Sequence, residues 1–256
     1  MKRSNKTITI TVLLLSVITA VVIYAKYRSS VTDQYIMGNN YFYGENGYPE
    51  DYDEAAHWYK EAAERGHADA QYCLADCYYN GFGVYQDREE AVKWYREAAE
   101  GGNADAQYRL SELYYSSDKN EAMEWLKKAA KQGHTEAEYT LGWCYESGTI
   151  VPEDLSKAVE WYEKAAKHGD PTALSIIGGF YELGRGVSQD YSKAVKWYKK
   201  AAELEDTNSQ NNLGECYQYG KGVTQDYNEA VKWYQKAAFE GNEYALCNLG
   251  HCYLNG

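Results

Sequence analysis

The chain has 256 residues, and its 26 Lys and Arg against 38 Asp and Glu give a formal net charge of -12 at pH 7. An acidic balance of this size disfavours contact with a phosphate backbone, so it excludes a nucleic-acid-binding role. Hydrophobic residues make up 45% of the sequence, enough for a folded core, but the mean hydropathy of -0.69 excludes a protein that crosses the membrane many times. Six cysteines are too few for a disulfide scaffold.

An uncharged and mostly apolar run occupies residues 8–25. As an α-helix this run would reach roughly 27 Å, close to the hydrocarbon thickness of a bilayer. The run is longer than the apolar region of most cleaved signal peptides, and Ile23, two positions before Ala25, breaks the small-x-small pattern of a cleavage site. We therefore predict an N-terminal signal anchor that acts as a transmembrane helix, with a cleaved leader as the alternative.

The charges that flank this run predict its orientation. Three basic side chains and the amino terminus precede it and two basic side chains follow it, which favours a cytoplasmic N-terminus and places the rest of the chain on the periplasmic or extracellular side. A cleaved leader would instead make the protein secreted or periplasmic. Residues 1–32 thus form the anchor and juxtamembrane segment. They hold five basic and no acidic side chains, so residues 33–256 carry -12 - 5 = -17.

From Asp33 onward the sequence is a tandem array with a tryptophan at one fixed position of each repeat. The tryptophans at this position are 36, 31, 36, 36 and 36 residues apart, and each is followed four residues later by Ala-Ala. They are Trp58, Trp94, Trp125, Trp161, Trp197 and Trp233. A period in the mid-thirties, built from helix-forming residues with one glycine-rich interruption, predicts stacked helix-turn-helix repeats. The 31-residue repeat lacks part of its turn, which we expect to tighten or bend the stack there.

Polar residues and glycines at fixed positions predict where the helices begin and end. An aspartate precedes the second helix of every repeat, where its carboxylate can accept backbone N–H groups of the first turn. These aspartates are Asp51, Asp87, Asp118, Asp154, Asp190 and Asp226. In four repeats a glutamate three residues later completes a capping-box pattern. Five repeats then carry a glycine that predicts the helix end: Gly66, Gly101, Gly133, Gly169 and Gly241. The repeat that ends at Glu205 has none.

A Gly-x-Gly-Val sequence lies between the two helices of three repeats, at 81–84, 184–187 and 220–223. A phosphate-binding loop would follow a β-strand and continue into a third spaced glycine or a Gly-Lys-Ser/Thr sequence. Here a predicted helix precedes the glycines and neither continuation is present. The pattern therefore indicates a turn between helices.

Four cysteines occupy one repeated position, directly before an inward-facing tyrosine: Cys77, Cys144, Cys216 and Cys252. Leu113 and Phe180 occupy the same position in other repeats, so we predict a packing position that holds a free thiol. Cys73 and Cys77 could form one edge of a metal site, but no second Cys or His pair at zinc spacing accompanies them. We predict neither a metal site nor a cofactor.

The elements Ala-Gln-Tyr-x-Leu, Gly-x-Gly-Val-x-Gln-Asp-Tyr and Lys-Trp-Tyr-x-Lys-Ala-Ala resemble Sel1-like repeats, which are relatives of the tetratricopeptide repeat. The resemblance extends from about Asp33 to Gly256 and comprises about six and a half repeats. It implies an all-α fold, a right-handed α-solenoid, that serves as a scaffold or adaptor for other proteins.

An enzymatic alternative follows from the same resemblance, because some cysteine-rich Sel1-like proteins are credited with binding or hydrolysing β-lactams. A β-lactamase-like or cell-wall-ligand-binding protein is therefore the second hypothesis. The chain lacks the regular cysteine pairing of those relatives. Its one Ser-x-x-Lys sequence, Ser116 to Lys119, lies in the shortened turn without a Lys-Thr-Gly or Ser-Asp-Asn sequence to complete that chemistry. We predict no catalytic residues, and turnover of a chromogenic β-lactam would favour the alternative.

If the stack resembles a tetratricopeptide array, the first helices of the repeats line a concave groove. The residues that this comparison places there are Tyr72, Asp76, Tyr79, Tyr108, Glu112, Tyr115, Tyr139 and Trp143. Aromatic rings provide contact area at low entropic cost, and the carboxylates favour a basic or amide-rich extended segment. We predict a protein or peptide partner. The alternative is that tyrosine at these positions belongs only to the repeat pattern.

Overall fold

The computed structural model describes residues 30–255, and the regular elements in that range are thirteen α-helices. The odd-numbered helices are the first helices of the repeats: α1 (Val31–Tyr43), α3 (Ala68–Asn80), α5 (Ala104–Tyr114), α7 (Thr135–Ser147), α9 (Pro171–Leu183), α11 (Thr207–Tyr219) and α13 (Glu243–Asn255). The even-numbered helices are the second helices: α2 (Tyr52–Ala63), α4 (Arg88–Glu100), α6 (Lys119–Lys131), α8 (Leu155–Lys167), α10 (Tyr191–Glu203) and α12 (Tyr227–Phe239). The all-α, helix-turn-helix prediction is confirmed.

The helices form two compact lobes, with the boundary inside α5. The N-terminal lobe comprises the described residues up to Ala106, and the C-terminal lobe begins at Gln107. The predicted signal anchor, residues 8–25, lies outside the described residues. Among the helices that are described, none combines the length and the hydrophobicity needed to cross a bilayer.

Each second helix begins at the predicted aspartate. Four of these carboxylates accept two backbone N–H groups of the first turn at 2.9–3.1 Å, and the other two accept one. Two glutamates of the capping-box pattern bind a lysine three residues later. Glu90 accepts a hydrogen bond from Lys93 Nζ at 2.9 Å, and Glu229 likewise binds Lys232. The aspartate half of the prediction is confirmed, whereas these glutamates form surface ion pairs along the helix.

The first helices also begin at side-chain acceptors. Asp170 and Asp206 accept a backbone N–H from within the first turn, as Asn103 and Asn242 do. In two repeats the acceptor is an imidazole: His67 Nδ1 accepts from the backbone of Ala70 at 3.3 Å, and His134 accepts from Ala137 at 3.2 Å. This bond requires an unprotonated Nδ1.

Tyrosines of five second helices lie in the core, and Leu126 takes the same position in α6. Tyr59, Tyr95, Tyr162, Tyr198 and Tyr234 are almost completely buried. The rings of Tyr59, Tyr162, Tyr198 and Tyr234 each pack against a glycine on the first helix of the same repeat. A Cβ atom built on Gly142 would lie 2.8 Å from the ring of Tyr162, so this close approach requires glycine.

The second helices end in a left-handed residue, which satisfies the last carbonyl groups. Gly66, Gly133, Gly169 and Gly241 take this position with φ of 85–89°. In the second repeat it is Gly102, with φ of 95°, and not the predicted Gly101, whose φ of -70° is still helical. In the repeat without a terminal glycine, Glu205 itself adopts the left-handed conformation with φ of 64°.

The Gly-x-Gly-Val turns pack against the preceding repeat. The second glycine of each turn has a positive φ and lies against the backbone at the beginning of the previous second helix, as Gly186 does against Leu155. In the C-terminal lobe Ser156 Oγ donates a hydrogen bond to the carbonyl of Gly186 at 3.1 Å. These turns follow helices and join neighbouring repeats, which confirms the inter-helix interpretation.

Candidate partner-binding surface

Three of the predicted groove residues lie on α3 in the N-terminal lobe and surround one buried ring. Tyr72 and Tyr79 lie with ring centroids 5.9 and 6.4 Å from that of Tyr95, and the Asp76 carboxylate accepts a hydrogen bond from the Tyr95 hydroxyl. All three side chains are half-buried. Asp76 therefore has a structural partner, and the open edges of the two tyrosines are the area left for contact.

Tyr108, on α5 in the C-terminal lobe, stacks on an imidazole of the next first helix. The ring centroids of Tyr108 and His134 are 4.8 Å apart with an interplanar angle of 29°. Burial raises the pKa of the Tyr108 phenol. Tyr35 stacks in the same way on His67 in the N-terminal lobe, at 4.8 Å. The histidines that cap these first helices thus also support tyrosine rings, a role that the sequence interpretation missed.

Tyr139, on α7, packs with its ring centroid 5.6 Å from that of the buried Tyr162. Its pKa is raised by burial and, to a smaller extent, by the carboxylates of Asp170 and Glu146. The side chain is half-buried. The structure therefore gives the predicted tyrosine ladder a rigid packing environment within each lobe.

The remaining predicted residues are the most exposed ones. Trp143 on α7 is 39% exposed and Tyr115, just after α5, is 38% exposed. Glu112 is exposed on α5 and accepts a hydrogen bond from Arg109 Nη1 at 3.0 Å. These three side chains offer accessible area next to Tyr108 and Tyr139 on the same two first helices. We call these five residues the first-helix face.

Further along the C-terminal lobe the first helices are joined by polar side chains. Ser209 Oγ on α11 donates to Ser175 Oγ on α9 at 2.9 Å, and Asn248 Nδ2 on α13 donates to Asn211 Oδ1 at 2.9 Å. Neighbouring first helices therefore lie side by side. At the position of Tyr108 and Tyr139, α9 and α11 carry Ser175 and Asn211 instead of an aromatic residue.

The sequence interpretation also missed a set of carboxylates at the ends of the first helices. Glu146 accepts a hydrogen bond from the Tyr162 hydroxyl at 2.9 Å and pairs with Arg185 of the next repeat's turn at 3.2 Å. Glu182 binds Tyr198 and Lys221 in the same arrangement, at 2.8 and 3.0 Å. The basic residue inside the Gly-x-Gly-Val turn, Arg185 or Lys221, was the sequence feature that could have indicated these ion pairs.

In the N-terminal lobe an aromatic cluster occupies the equivalent joint. Phe82, inside the turn of the second repeat, has its ring centroid 5.7 Å from that of Phe42 and 5.2 Å from that of Tyr52. Phe42 stands where Glu146 and Glu182 stand in later repeats. The same joint between repeats is therefore made by ion pairs in one lobe and by apolar contact in the other.

The repeated cysteine position is a packing position, as predicted. Cys77, Cys144 and Cys216 are fully buried free thiols, and Phe180 is buried at the same position of α9. Burial raises the pKa of Cys77 and Cys216 to about 12 and that of Cys144 to about 11. These thiols remain protonated at neutral pH and are poor nucleophiles.

Within residues 30–255, no three His, Cys, Asp or Glu side chains come together in a way that could hold a metal ion. Ser116 and Lys119 are both exposed beside the shortened turn before α6. The first-helix surface of the C-terminal lobe presents aromatic rings, amides and charges.

Paired helices repeating at a fixed interval define an α-solenoid protein of helix-turn-helix repeats. The Sel1 repeat model matches the chain in seven segments: 33–67, 68–103, 104–134, 135–170, 171–206, 207–242 and 243–256. The chain belongs to the Sel1 repeat family. Proteins of this family commonly act as scaffolds for protein–protein interaction. The resemblance seen in the sequence is confirmed.

Two solved structures are similar to this chain over most of its length. One is the protective antigen of uropathogenic Escherichia coli that displays an SLR fold, with 35% identity, a TM-score of 0.82, and coverage of 89% of this chain and 50% of that one. The other is a Sel1 repeat protein from Oxalobacter formigenes, with 33% identity, a TM-score of 0.74, and coverage of 88% and 66%. The chain thus spans about half to two thirds of the length of these relatives. A comparison with curated proteins found no match.

Proposed function

We propose that the protein is a non-catalytic scaffold that binds an extended, basic or amide-rich segment of another protein on its first-helix face. The observation that carries this proposal is the set of open aromatic side chains on α5 and α7, with a carboxylate beside them. Trp143 and Tyr115 are each more than a third exposed, and Glu112 lies on the same helix as Tyr108.

The packing of this surface favours recognition of a partner with little loss of entropy. Tyr108 is stacked on His134 and Tyr139 rests on Tyr162, so their rings are held in place before a partner arrives. Pre-organised aromatic side chains are typical of the residues that dominate binding free energy at protein interfaces. The flanking carboxylate adds a preference for positive charge.

The proposal includes an N-terminal anchor in a membrane, with the repeats on the periplasmic or extracellular side. Its support is the uncharged run 8–25 with basic residues on both sides. An anchored scaffold would hold its partner near the membrane surface. If the leader is cleaved, the same surface would act in a secreted or periplasmic protein.

Fluorescence anisotropy with labelled peptides that alternate lysine and asparagine tests the binding surface on the full chain. The variant carries Trp143→Ala and Glu112→Lys, at two of the more exposed positions of this face. We expect the wild type to bind such a peptide and the variant to bind about tenfold more weakly, which is the typical loss of one interface anchor, about 1.4 kcal/mol.

The matched control is Tyr219→Ala, which removes a tyrosine that is 61% exposed at the end of α11, away from the aromatic helices. It should leave the affinity unchanged. Equal affinity of the wild type and the Trp143→Ala, Glu112→Lys variant, or an equal loss in the control, would contradict the first-helix face as the binding surface.

A further inference from the structure

The second helices carry a change of charge between the two lobes at one repeated position. The residue three positions after the repeat tryptophan is glutamate in the N-terminal lobe, at Glu61 and Glu97. In the C-terminal lobe it is lysine in every repeat: Lys128, Lys164, Lys200 and Lys236. One turn of helix separates the two positions, so both side chains lie on the same face of the helix.

In the C-terminal lobe each of these ammonium groups lies over the indole of its own repeat. The distances from Nζ to the ring centroid are 3.7 Å for Lys128, 3.5 Å for Lys164, 4.7 Å for Lys200 and 4.3 Å for Lys236. A cation–π contact of this kind restricts a side chain that would otherwise be mobile. The four positive charges are thus held at fixed places, one for each repeat.

Open clefts accompany two of these pairs. A cleft of about 590 Å³ beside α10 is lined by Trp197 together with Lys196, Lys199 and Lys200. A second cleft, of about 740 Å³, lies between the end of α10 and α12. It is lined by Trp233 and Lys236 and bordered by Phe239, which is 88% exposed. The first cleft combines apolar surface with a basic rim, whereas three glutamates and two lysines line the second.

The N-terminal lobe contains a cleft at the repeat position of the second one, with glutamate in place of Lys236. A volume of about 490 Å³ is lined there by Trp94, with Glu64, Glu90 and Glu97 and a single Lys93. Its shape follows from the repeat and is common to both lobes. The cleft therefore forms without lysine at this position, so the presence of lysine in every repeat of the C-terminal lobe has a cause other than the shape of the cleft.

The basic helices stand out from the charge of the molecule. Helix α10 carries four lysines and one glutamate, and α6 carries four lysines and two glutamates. Residues 33–256 as a whole have a net charge of -17. Lysines concentrated on one set of helices of an acidic protein create a local positive field that attracts an acidic partner.

We propose that the second helices of the C-terminal lobe, α6, α8, α10 and α12, bind an acidic polypeptide segment, and we call this surface the lysine–tryptophan face. An apolar side chain of the segment enters the cleft beside Trp197, and the carboxylates of the segment pair with the lysines of that rim and with those held over the tryptophans. A segment is favoured over an anionic membrane because the apolar surface is recessed in clefts, and because the strongly acidic remainder of the protein is repelled by a lipid surface of the same sign. This face is separate from the first-helix face and has the opposite charge preference.

The test measures binding of two labelled probes to the full chain by fluorescence anisotropy: a peptide that alternates glutamate and leucine, and a peptide that alternates lysine and leucine. We expect the glutamate peptide to bind with an affinity that falls as salt is added, and we expect lysine-to-glutamate substitutions on the second helices of the C-terminal lobe to lower the affinity for the glutamate peptide only. The variant Lys164→Glu, Lys200→Glu, Lys236→Glu gives three of the four repeats of the C-terminal lobe the glutamate that the N-terminal lobe has at this position. It should lower the affinity for the glutamate peptide at least about tenfold.

The control is Lys60→Glu, Arg88→Glu, Lys93→Glu, which changes the net charge by the same amount on the second helices of the N-terminal lobe. It should retain most of the affinity, and circular dichroism of both variants checks that they remain folded. The proposal is overturned if the glutamate peptide does not bind, if both triple variants lose affinity equally, or if only vesicles of anionic phospholipid bind. Because the two faces prefer opposite charges, a failure here leaves the result for the first-helix face unaffected.

Discussion

At the residue scale, Glu205 takes a backbone conformation that the other described repeats assign to glycine. Its φ of 64° is left-handed, and the same position is Gly66, Gly133 or Gly169 elsewhere. For a residue with a Cβ this conformation costs about 1–2 kcal/mol. The helix end nevertheless forms, because Glu205 donates its N–H to the carbonyl of Ala202 at 3.2 Å and the next residue, Asp206, caps α11.

We expect Glu205→Gly to raise the free energy of unfolding by up to about 1 kcal/mol. The relief of left-handed strain is partly offset by the greater freedom of glycine in the unfolded chain. Urea unfolding followed by circular dichroism measures the change. The reverse substitution is Gly169→Ala, at a site where an added Cβ meets nothing within 4 Å, so its loss of about 1 kcal/mol reports the backbone alone. A destabilised Glu205→Gly variant would show that the glutamate side chain contributes more than the strain removes.

How far single residues could be predicted depends on how local their contacts are. The aspartate caps were found because an aspartate and the N–H groups it binds lie within three residues of each other. The stacking of Tyr35 on His67 was not predicted, because the two residues are separated by almost a whole repeat and meet only after the helices pack. Asp76 illustrates the same limit: its position suggested an open groove, but its carboxylate binds the Tyr95 hydroxyl.

At the scale of the element, Gly178 and Gly179 are neighbours on α9 with different surroundings. A Cβ on Gly178 would overlap the ring of Tyr198, whereas the nearest atom to a Cβ on Gly179 is the Tyr198 hydroxyl at 3.7 Å. The first glycine sets the distance between α9 and α10, and the second does not. Helix propensity alone would favour alanine at both positions by about 1 kcal/mol.

We expect Gly178→Ala to lower the free energy of unfolding by about 1–3 kcal/mol, because the two helices must separate or Tyr198 must move. Gly179→Ala should be neutral or stabilising by up to about 1 kcal/mol. The two variants have the same amino-acid composition, and both substitutions lie on α9. Chemical denaturation of both variants therefore isolates the packing effect. If the two variants unfold alike, the glycine is not required by the contact with the tyrosine.

The pairing of helices within a repeat was predictable because apolar periodicity, caps and glycines all point to the same two helices. The joints between repeats were not, since they connect the end of one first helix to the turn of the next repeat. In the sequence alone, nothing connects Glu146 to Arg185. The structure shows that the two charged groups are 3.2 Å apart. The charge of the second helices was equally visible in the sequence, but only the cation–π contacts showed that Lys164 and Lys200 have fixed positions.

At the scale of the whole molecule, the main helix contacts within each lobe join helices that are consecutive in the chain. Stability in such an array is close to a sum over repeats and their nearest interfaces. A local defect should therefore spread only to its neighbours. We expect the Gly178→Ala variant to lose amide protection mainly in α8 to α11, with little change in α1 to α4.

Hydrogen exchange measured by mass spectrometry on the full chain provides the test, with Gly179→Ala as the control. Equal loss of protection along all described helices would show instead that the repeats unfold as one cooperative body.

The joint between repeats consists of Phe42, Phe82 and Tyr52 in the N-terminal lobe and of carboxylates with Arg185 or Lys221 in the C-terminal lobe. These two chemistries respond differently to the surroundings. Added sodium chloride screens the charged joints and leaves the aromatic one nearly untouched, whereas cooling weakens the aromatic joint first. A change of salt concentration or temperature can therefore weaken the contact between repeats in one lobe while the corresponding contact in the other lobe stays intact.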